Sequence, residues 1–192
     1  MILVIVMSKL ILTVLAMLGL AGAAQACPNW NLNPSYGSFN LSAGQMRSPQ
    51  TLSLLAGGDN YIWNCRNVNP QTDVGAGYSP RSFNIVAGGD NYLPDCGFGS
   101  NNVGYFPTTP DFSFDLSNMN GYRLEISVLS NCDAALLVNT ADTQWFYDDD
   151  SNGQADPRIN LSDRQVGNGV LDVWIGTYDG DYCDATLTLE TF

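Results

Sequence analysis

Histidine is absent from all 192 residues, and lysine occurs once, at Lys9. Without an imidazole there is no Ser-His-Asp or Cys-His machinery, no zinc site built on His, and no His to activate a thiol. A Gly-x-Ser-x-Gly elbow, a phosphate-binding Gly loop ending in Lys and a Cys-x-x-Cys pair are missing as well. Positive charge is scarce: after residue 26, six Arg stand against 19 Asp and Glu, a formal net charge of −13. Such a surface repels phosphate backbones and anionic membranes, which argues against nucleic-acid binding and leaves cations, basic partners or neutral glycans. Glutamate occurs twice, as Glu125 and Glu190, and strand alternation puts both on outward faces. A carboxylate-based hydrolase is therefore the third-ranked reading, and the chain is expected not to be an enzyme.

Long apolar runs are confined to the start. Ser8-Lys9, the aliphatic stretch Leu10 to Leu20 and the small residues up to Ala24-Gln25-Ala26 have the order of a signal peptide, with cleavage after Ala26. Met7 is a good alternative initiator, since Met1 to Met7 is itself apolar. An uncleaved anchor and lipidation of Cys27 are the competing readings. Ala24-Gln25-Ala26 lacks the leucine usual three residues before a lipidated cysteine. No later run is long enough to span a bilayer. The expected mature protein, 166 residues from Cys27 to Phe192, is secreted or periplasmic and large enough to bury a core.

No segment keeps a 3.6-residue period; alternation and turns dominate. A repeat with a 31-residue offset aligns Ser48-Pro49 through Gly57-Gly58-Asp59-Asn60-Tyr61 with Ser79-Pro80 through Gly88-Gly89-Asp90-Asn91-Tyr92, and then Cys65 with Cys96. Each copy reads as a proline-started strand and a Gly-Gly-Asp-Asn turn. Downstream, Tyr122, Leu124, Ile126 and Val128 share one face, as do Cys183, Ala185, Leu187 and Leu189. Asp179-Gly180-Asp181 between two long strands predicts a hairpin. Many short strands of this kind predict an all-β, antiparallel sandwich. The duplicated strand–turn region is expected over 27–96 and the main sandwich over 97–192.

Export permits disulfides, and five cysteines follow the cleavage site. Continuing the Tyr122–Val128 strand puts Cys132 on the inward face, where Cys183 also points. A Cys132–Cys183 bridge is expected if those strands are neighbours. Cys27, Cys65 and Cys96 would then share a second bridge and an odd thiol.

Asp148, Asp150 and Asn152 alternate ahead of Gly153, with Asp156 at the ninth position, as in the first half of a calcium loop. Ile159 stands where a bidentate Glu would close that loop. The alternatives are a calcium site and a solvated acidic turn. Asp59, Asn60, Asp90 and Asn91 of the two turns, with Trp63 beside the first, are the candidate binding residues for a glycan or protein surface. Their structural alternative is a pair of side-chain-capped turns. Trp145 and Trp174 fall in strands and are expected in the core.

From Tyr105 onward the chain resembles the bacterial pre-peptidase C-terminal domain family and related exported proteins. The resemblance rests on Pro110-Asp111-Phe112, Leu124-Glu125-Ile126 and Cys132-Asp133-Ala134-Ala135-Leu136-Leu137-Val138-Asn139. Trp145 to Asp150, Leu171 to Tyr178, Cys183-Asp184-Ala185-Thr186-Leu187 and Glu190-Thr191-Phe192 complete it. It covers about half of the mature chain and implies a jelly-roll-like, non-catalytic sandwich of the kind attached to secreted hydrolases. Here the duplicated region precedes it. The resulting expectation is an exported non-catalytic module for binding or cell-surface structure, with a glycan- or protein-binding adhesin-like factor as the runner-up.

Overall fold

Short alternating segments cannot bury their apolar faces alone, and the chain resolves this by stacking two sheets. The computed structural model describes residues 26–46 and 81–192. Its strands, in chain order, are β1 (Gly37–Ser42), β2 (Arg81–Ala87), β3 (Asn91–Tyr92), β4 (Tyr105–Phe106), β5 (Phe112–Ser117) and β6 (Leu124–Ser130). They continue with β7 (Ala134–Asn139), β8 (Trp145–Asp148), β9 (Arg158–Leu161), β10 (Gly169–Thr177) and β11 (Cys183–Thr191). One four-residue helix, Asp163–Val166, and two 3-10 turns, Ala43–Gln45 and Leu93–Cys96, complete the elements among the described residues. None of these helices is long and apolar enough to cross a membrane.

One sheet runs β2-β11-β6-β9, antiparallel throughout. In the other, β10 is the hub: β7 and then β8 lie on one side, and β5 and β4 share the other. β1 extends β5 in parallel, a departure from the antiparallel expectation, while β3 extends β4. The all-β sandwich is thus the observed architecture. β1 and β2 are built into its two sheets, so the boundary expected after residue 96 does not set two bodies apart among the described residues.

The core follows the pleat. Phe83 and Ile85 of β2, Phe112 and Phe114 of β5, Leu124, Ile126 and Val128 of β6, and Leu187 and Leu189 of β11 are buried between the sheets. Rings of Phe39, Phe83, Phe112 and Phe114 pack with centroids 5.0–6.2 Å apart. A second apolar cluster lies on the opposite side of β7 and β10: Ala135, Leu137 and Trp174 meet Leu93 and Phe106. Strands covered on both faces lose polar alternation, which is why Ala134–Asn139 is buried throughout.

The sequence expectation of a hairpin at Asp179-Gly180-Asp181 is overturned. β10 and β11 belong to different sheets, so the 178–182 link is an arch over the sandwich edge. Both strands aim apolar residues at the core, which facing strands satisfy as well as paired ones. Asp181 N–H donates to Asp179 Oδ1 at 3.2 Å, and Thr177 Oγ1 donates to the Asp181 carbonyl at 2.6 Å, closing the arch locally.

Cys132 is disulfide-bonded to Cys183, as expected, with Cα atoms 6.2 Å apart. The cause is register: β11 pairs with β6 so that Ala185 faces Ser130, and continuing that ladder by one pair of positions places Cys183 opposite Cys132. Cys27 pairs with Cys96, Cα atoms 5.5 Å apart. A cysteine whose sulfur is in that bridge has no thiol to carry a lipid. By parity Cys65 is the odd cysteine; it lies outside the described residues, as do the first repeat copy and the expected leader up to residue 25.

Candidate ligand-binding cleft

β10 changes partners along one edge, and the change opens a gap. Residues Gly169 to Val173 pair with β5, and Thr177 pairs with Tyr105 of β4. Between them the chain 107–111 swings away, bounded by Pro107 and Pro110, neither of which has an N–H to give a ladder. Ile175 therefore faces no strand on this edge, and its backbone groups are satisfied otherwise. Its N–H donates to Asp111 Oδ2 at 2.7 Å, and its carbonyl accepts from Gly88 N–H at 3.1 Å. Asp111 N–H donates to the Val173 carbonyl at 2.8 Å.

The Gly-Gly-Asp-Asn turn of the second repeat copy fits into this fork. A Cβ on Gly89 would stand 2.0 Å from the Phe106 carbonyl carbon, so bare backbone is required there. Gly88, at φ +129°, lies under the Tyr182 ring. Asn91 is 6% exposed and donates through Nδ2 to the Phe106 carbonyl (2.8 Å) and to Thr108 Oγ1 (3.1 Å). Tyr182, 61% exposed, donates its hydroxyl to Asp90 Oδ1 at 3.0 Å. Residues 35–36 cross the front, with Ser35 and Tyr36 N–H donating to the Pro110 and Asp111 carbonyls at 2.8 Å each.

These segments bound an open cleft of about 640 Å³, lined by Tyr36 and Tyr182, by the buried Asn91 and Asp111, and by the exposed Asp90. That volume lies in the range of small-molecule sites. Asp111 is 4% exposed, and burial holds its carboxyl well above the usual range, with the Ile175 N–H pulling the other way. Burial and then the Asp111 charge raise the Tyr36 phenol. The hydrogen bond to Asp90 raises the Tyr182 phenol.

The expected binding residues divide. Asp90 and Asn91 line the cleft; Asp59, Asn60 and Trp63 lie outside the described residues. Tyr36, Asp111 and Tyr182 were not among the expected site residues. The signal available for Asp111 was its place after two closely spaced prolines at the head of a strand.

Three of the four expected calcium ligands have separate hydrogen-bond partners, and the Asp150 carbonyl accepts from Gly153 N–H. Asp148 accepts from Ser151 N–H (3.0 Å), Ser151 Oγ (2.6 Å) and Arg158 N–H (2.7 Å). Asn152 Oδ1 accepts from the Arg158 guanidinium, and its Nδ2 donates to the Val128 carbonyl at 3.0 Å. Asp156 Oδ1 accepts from Ser130 N–H and Oγ, both at 2.9 Å. Among the described residues no three His, Cys, Asp or Glu side chains form a group suited to a metal ion. Asp148, Asn152 and Asp156 are thus hydrogen-bonded within and around the turn, and the Arg158 guanidinium meets Asn152 Oδ1.

Glu125 and Glu190 face each other across β6 and β11 on the outer side of their sheet, with Arg123 and Arg158 at 3.8 Å and 3.9 Å from Glu125. Trp174 is fully buried; Trp145 packs on it at 5.1 Å, and the half-exposed Trp30 follows at 5.7 Å.

Several acids share one direction of shift. Burial is the first cause raising Asp111, Asp133, Asp149, Asp172 and Glu190. A carboxyl with a raised folded pKa holds its proton better folded than unfolded. Its stabilising contribution is complete below the unfolded value and is lost as pH rises through the folded one. Melting temperature should therefore fall as pH rises from about 4, the unfolded carboxylate range, towards neutrality, helped by self-repulsion of the net negative chain. A differential scanning series in which it rises over that interval would contradict this account.

No family model matches this chain, and neither does any curated protein.

Proposed function

We propose that the protein is an exported, non-catalytic β-sandwich module that binds a glycan in the cleft at the sheet fork. The observation that carries the reading is the cleft itself: two tyrosines, the exposed Tyr182 and the partly buried Tyr36, line it together with the buried, hydrogen-bonded Asn91 and Asp111. Aromatic faces stack on the apolar face of a sugar ring, and planar amide and carboxylate groups match pairs of ring hydroxyls. The signal-like start and two disulfides support an oxidising compartment. The resemblance to pre-peptidase C-terminal domains supports an accessory, non-catalytic role. The lack of histidine speaks against most hydrolytic machinery. Calcium is not needed by this reading.

The test is a glycan panel followed by calorimetry on the bound member. Tyr182→Ala, at an exposed ring, should weaken binding about tenfold or more while leaving stability within about 1 kcal/mol. If no glycan binds, or the bound glycan is insensitive to Tyr182→Ala, the cleft is not its site.

A further inference from the structure

We propose that the cleft recognises a saccharide carrying a free amine, with the Asp111 carboxylate as the counter-ion of the bound ammonium. This rests on the glycan-binding reading above and narrows its ligand.

The charge inventory is one-sided. Among the described residues the acidic side chains lining the cleft are Asp90 and Asp111, and no Arg or Lys lines it. An anionic sugar would meet two carboxylates at close range, inside a chain of net charge −12. A cation would be drawn to the same place.

Asp111 gives the stronger argument. Burying a carboxylate costs several kcal/mol unless an opposite charge or several hydrogen bonds offset it. Asp111 is 4% exposed, and the Ile175 N–H on Oδ2 is a single neutral donor. Among the described residues the ion pairs are those of Arg123 and Arg158 with Glu125, on the other sheet. A buried acid lining a cleft, with no cationic partner among the described residues, is built to receive one. In the free protein it is held towards its neutral form by burial. An ammonium entering the cleft would restore the charge and supply the missing partner.

The surroundings select what carries the ammonium. Tyr36 and Tyr182 flank the cleft, and aromatic faces attract cations as well as sugar rings. Ser35, Asn91 and Thr108 line the remaining wall with hydroxyl and amide groups. Asn91 Nδ2 donates to the Phe106 carbonyl and Thr108 Oγ1, Ser35 Oγ meets Thr109 Oγ1, and Thr108 Oγ1 donates to the Ala26 carbonyl, so these groups offer a ligand their remaining acceptor capacity, which ring hydroxyls use and a bare alkyl chain does not.

The discriminating pair of probes is a short glucosamine oligomer and its N-acetylated counterpart, which share the ring and differ in the charge on one nitrogen. Calorimetry with the purified protein should show the free amine bound about tenfold or more tightly than the acetamide. The preference should shrink between low salt and about 0.3 M. Asp111→Asn keeps an oxygen for the Ile175 N–H and should abolish the preference. Asp142→Asn, which removes an exposed acid elsewhere, should retain it.

Equal binding, or a preference for the acetamide, overturns the ammonium while leaving the glycan cleft standing. Loss of preference in Asp142→Asn would show that general charge attraction is responsible and overturns it too. Tighter binding of a lysine-bearing peptide would mean a protein partner instead. Binding of no glycan in the panel removes the cleft reading and this inference together. Should Asp111→Asn fail to fold, the amine–acetamide comparison on the unmodified protein still decides.

Discussion

Replacing Cys132 and Cys183 together by alanine should destabilise the protein by about 4 kcal/mol, lowering its melting temperature by about 10 °C. The bridge closes a sequence separation of 51 residues, and in the chain-entropy account a loop of that length restricts the unfolded ensemble by about that much. Few contacts are lost with the sulfurs, because both residues are only partly buried and sit at the sandwich edge. The folded state should therefore keep its spectrum while its unfolding midpoint in urea moves down. The position adds a structural reason for a full effect. Cys132 lies in the link that carries the chain from β6 to β7, one strand of each sheet, and Cys183 begins β11 just after the arch from β10. One covalent tie thus fastens two crossings between the sheets. Urea unfolding of the double variant, compared with the parent under non-reducing conditions, is the measurement. A loss below about 1 kcal/mol would mean that the unfolded chain is already held together elsewhere.

The parts of this architecture that were legible are those written with period two. Leu124, Ile126 and Val128, and Ala185, Leu187 and Leu189, were readable as inward faces because each strand has one covered and one solvated side. The Cys132–Cys183 bridge was legible for the same reason: parity along a strand fixes which side a cysteine faces. The arch at Asp179-Gly180-Asp181 was not. The same turn residues serve a hairpin or a crossing, and the choice is made by β2 and β6 flanking β11 while β5 and β7 flank β10. No local pattern encodes that insertion. In the acidic turn, the spacing of Asp148, Asp150, Asn152 and Asp156 was legible, but the contact of the Arg158 guanidinium with Asn152 was not, because the place of Arg158 in the chain carries no such signal. The cleft was half legible. The repeated Gly-Gly-Asp-Asn marked Asp90 and Asn91, but Tyr36, Asp111 and Tyr182 reach the fork from distant segments, brought there by the partner change along β10.

Gly89→Ala should be the most damaging single methyl in the cleft, costing about 3 kcal/mol or more and removing the proposed glycan binding with it. The added Cβ would lie 2.0 Å from the Phe106 carbonyl carbon, 2.2 Å from Pro107 N and 2.5 Å from the Phe106 oxygen. All three are backbone atoms, so no side-chain rotation can make room. Nor can the strand retreat. Tyr105 and Phe106 are paired to β3 on one side, Tyr105 to Thr177 of β10 on the other, and the Phe106 ring is fully buried against the Trp174 cluster. The turn itself must therefore lift. That would pull Gly88 N–H from the Ile175 carbonyl and Asn91 from the Phe106 carbonyl, opening the cleft that Asp90, Asn91 and Asp111 line. Gly97→Ala provides the comparison. Gly97 has φ +82°, but a Cβ added there would meet nothing within 4 Å, so its cost is conformational alone, about 1–2 kcal/mol. Chemical denaturation of the two variants separates close approach from backbone strain. If Gly89→Ala loses no more stability than Gly97→Ala, the turn is not wedged against Phe106 and Pro107, and the cleft is softer than its geometry implies.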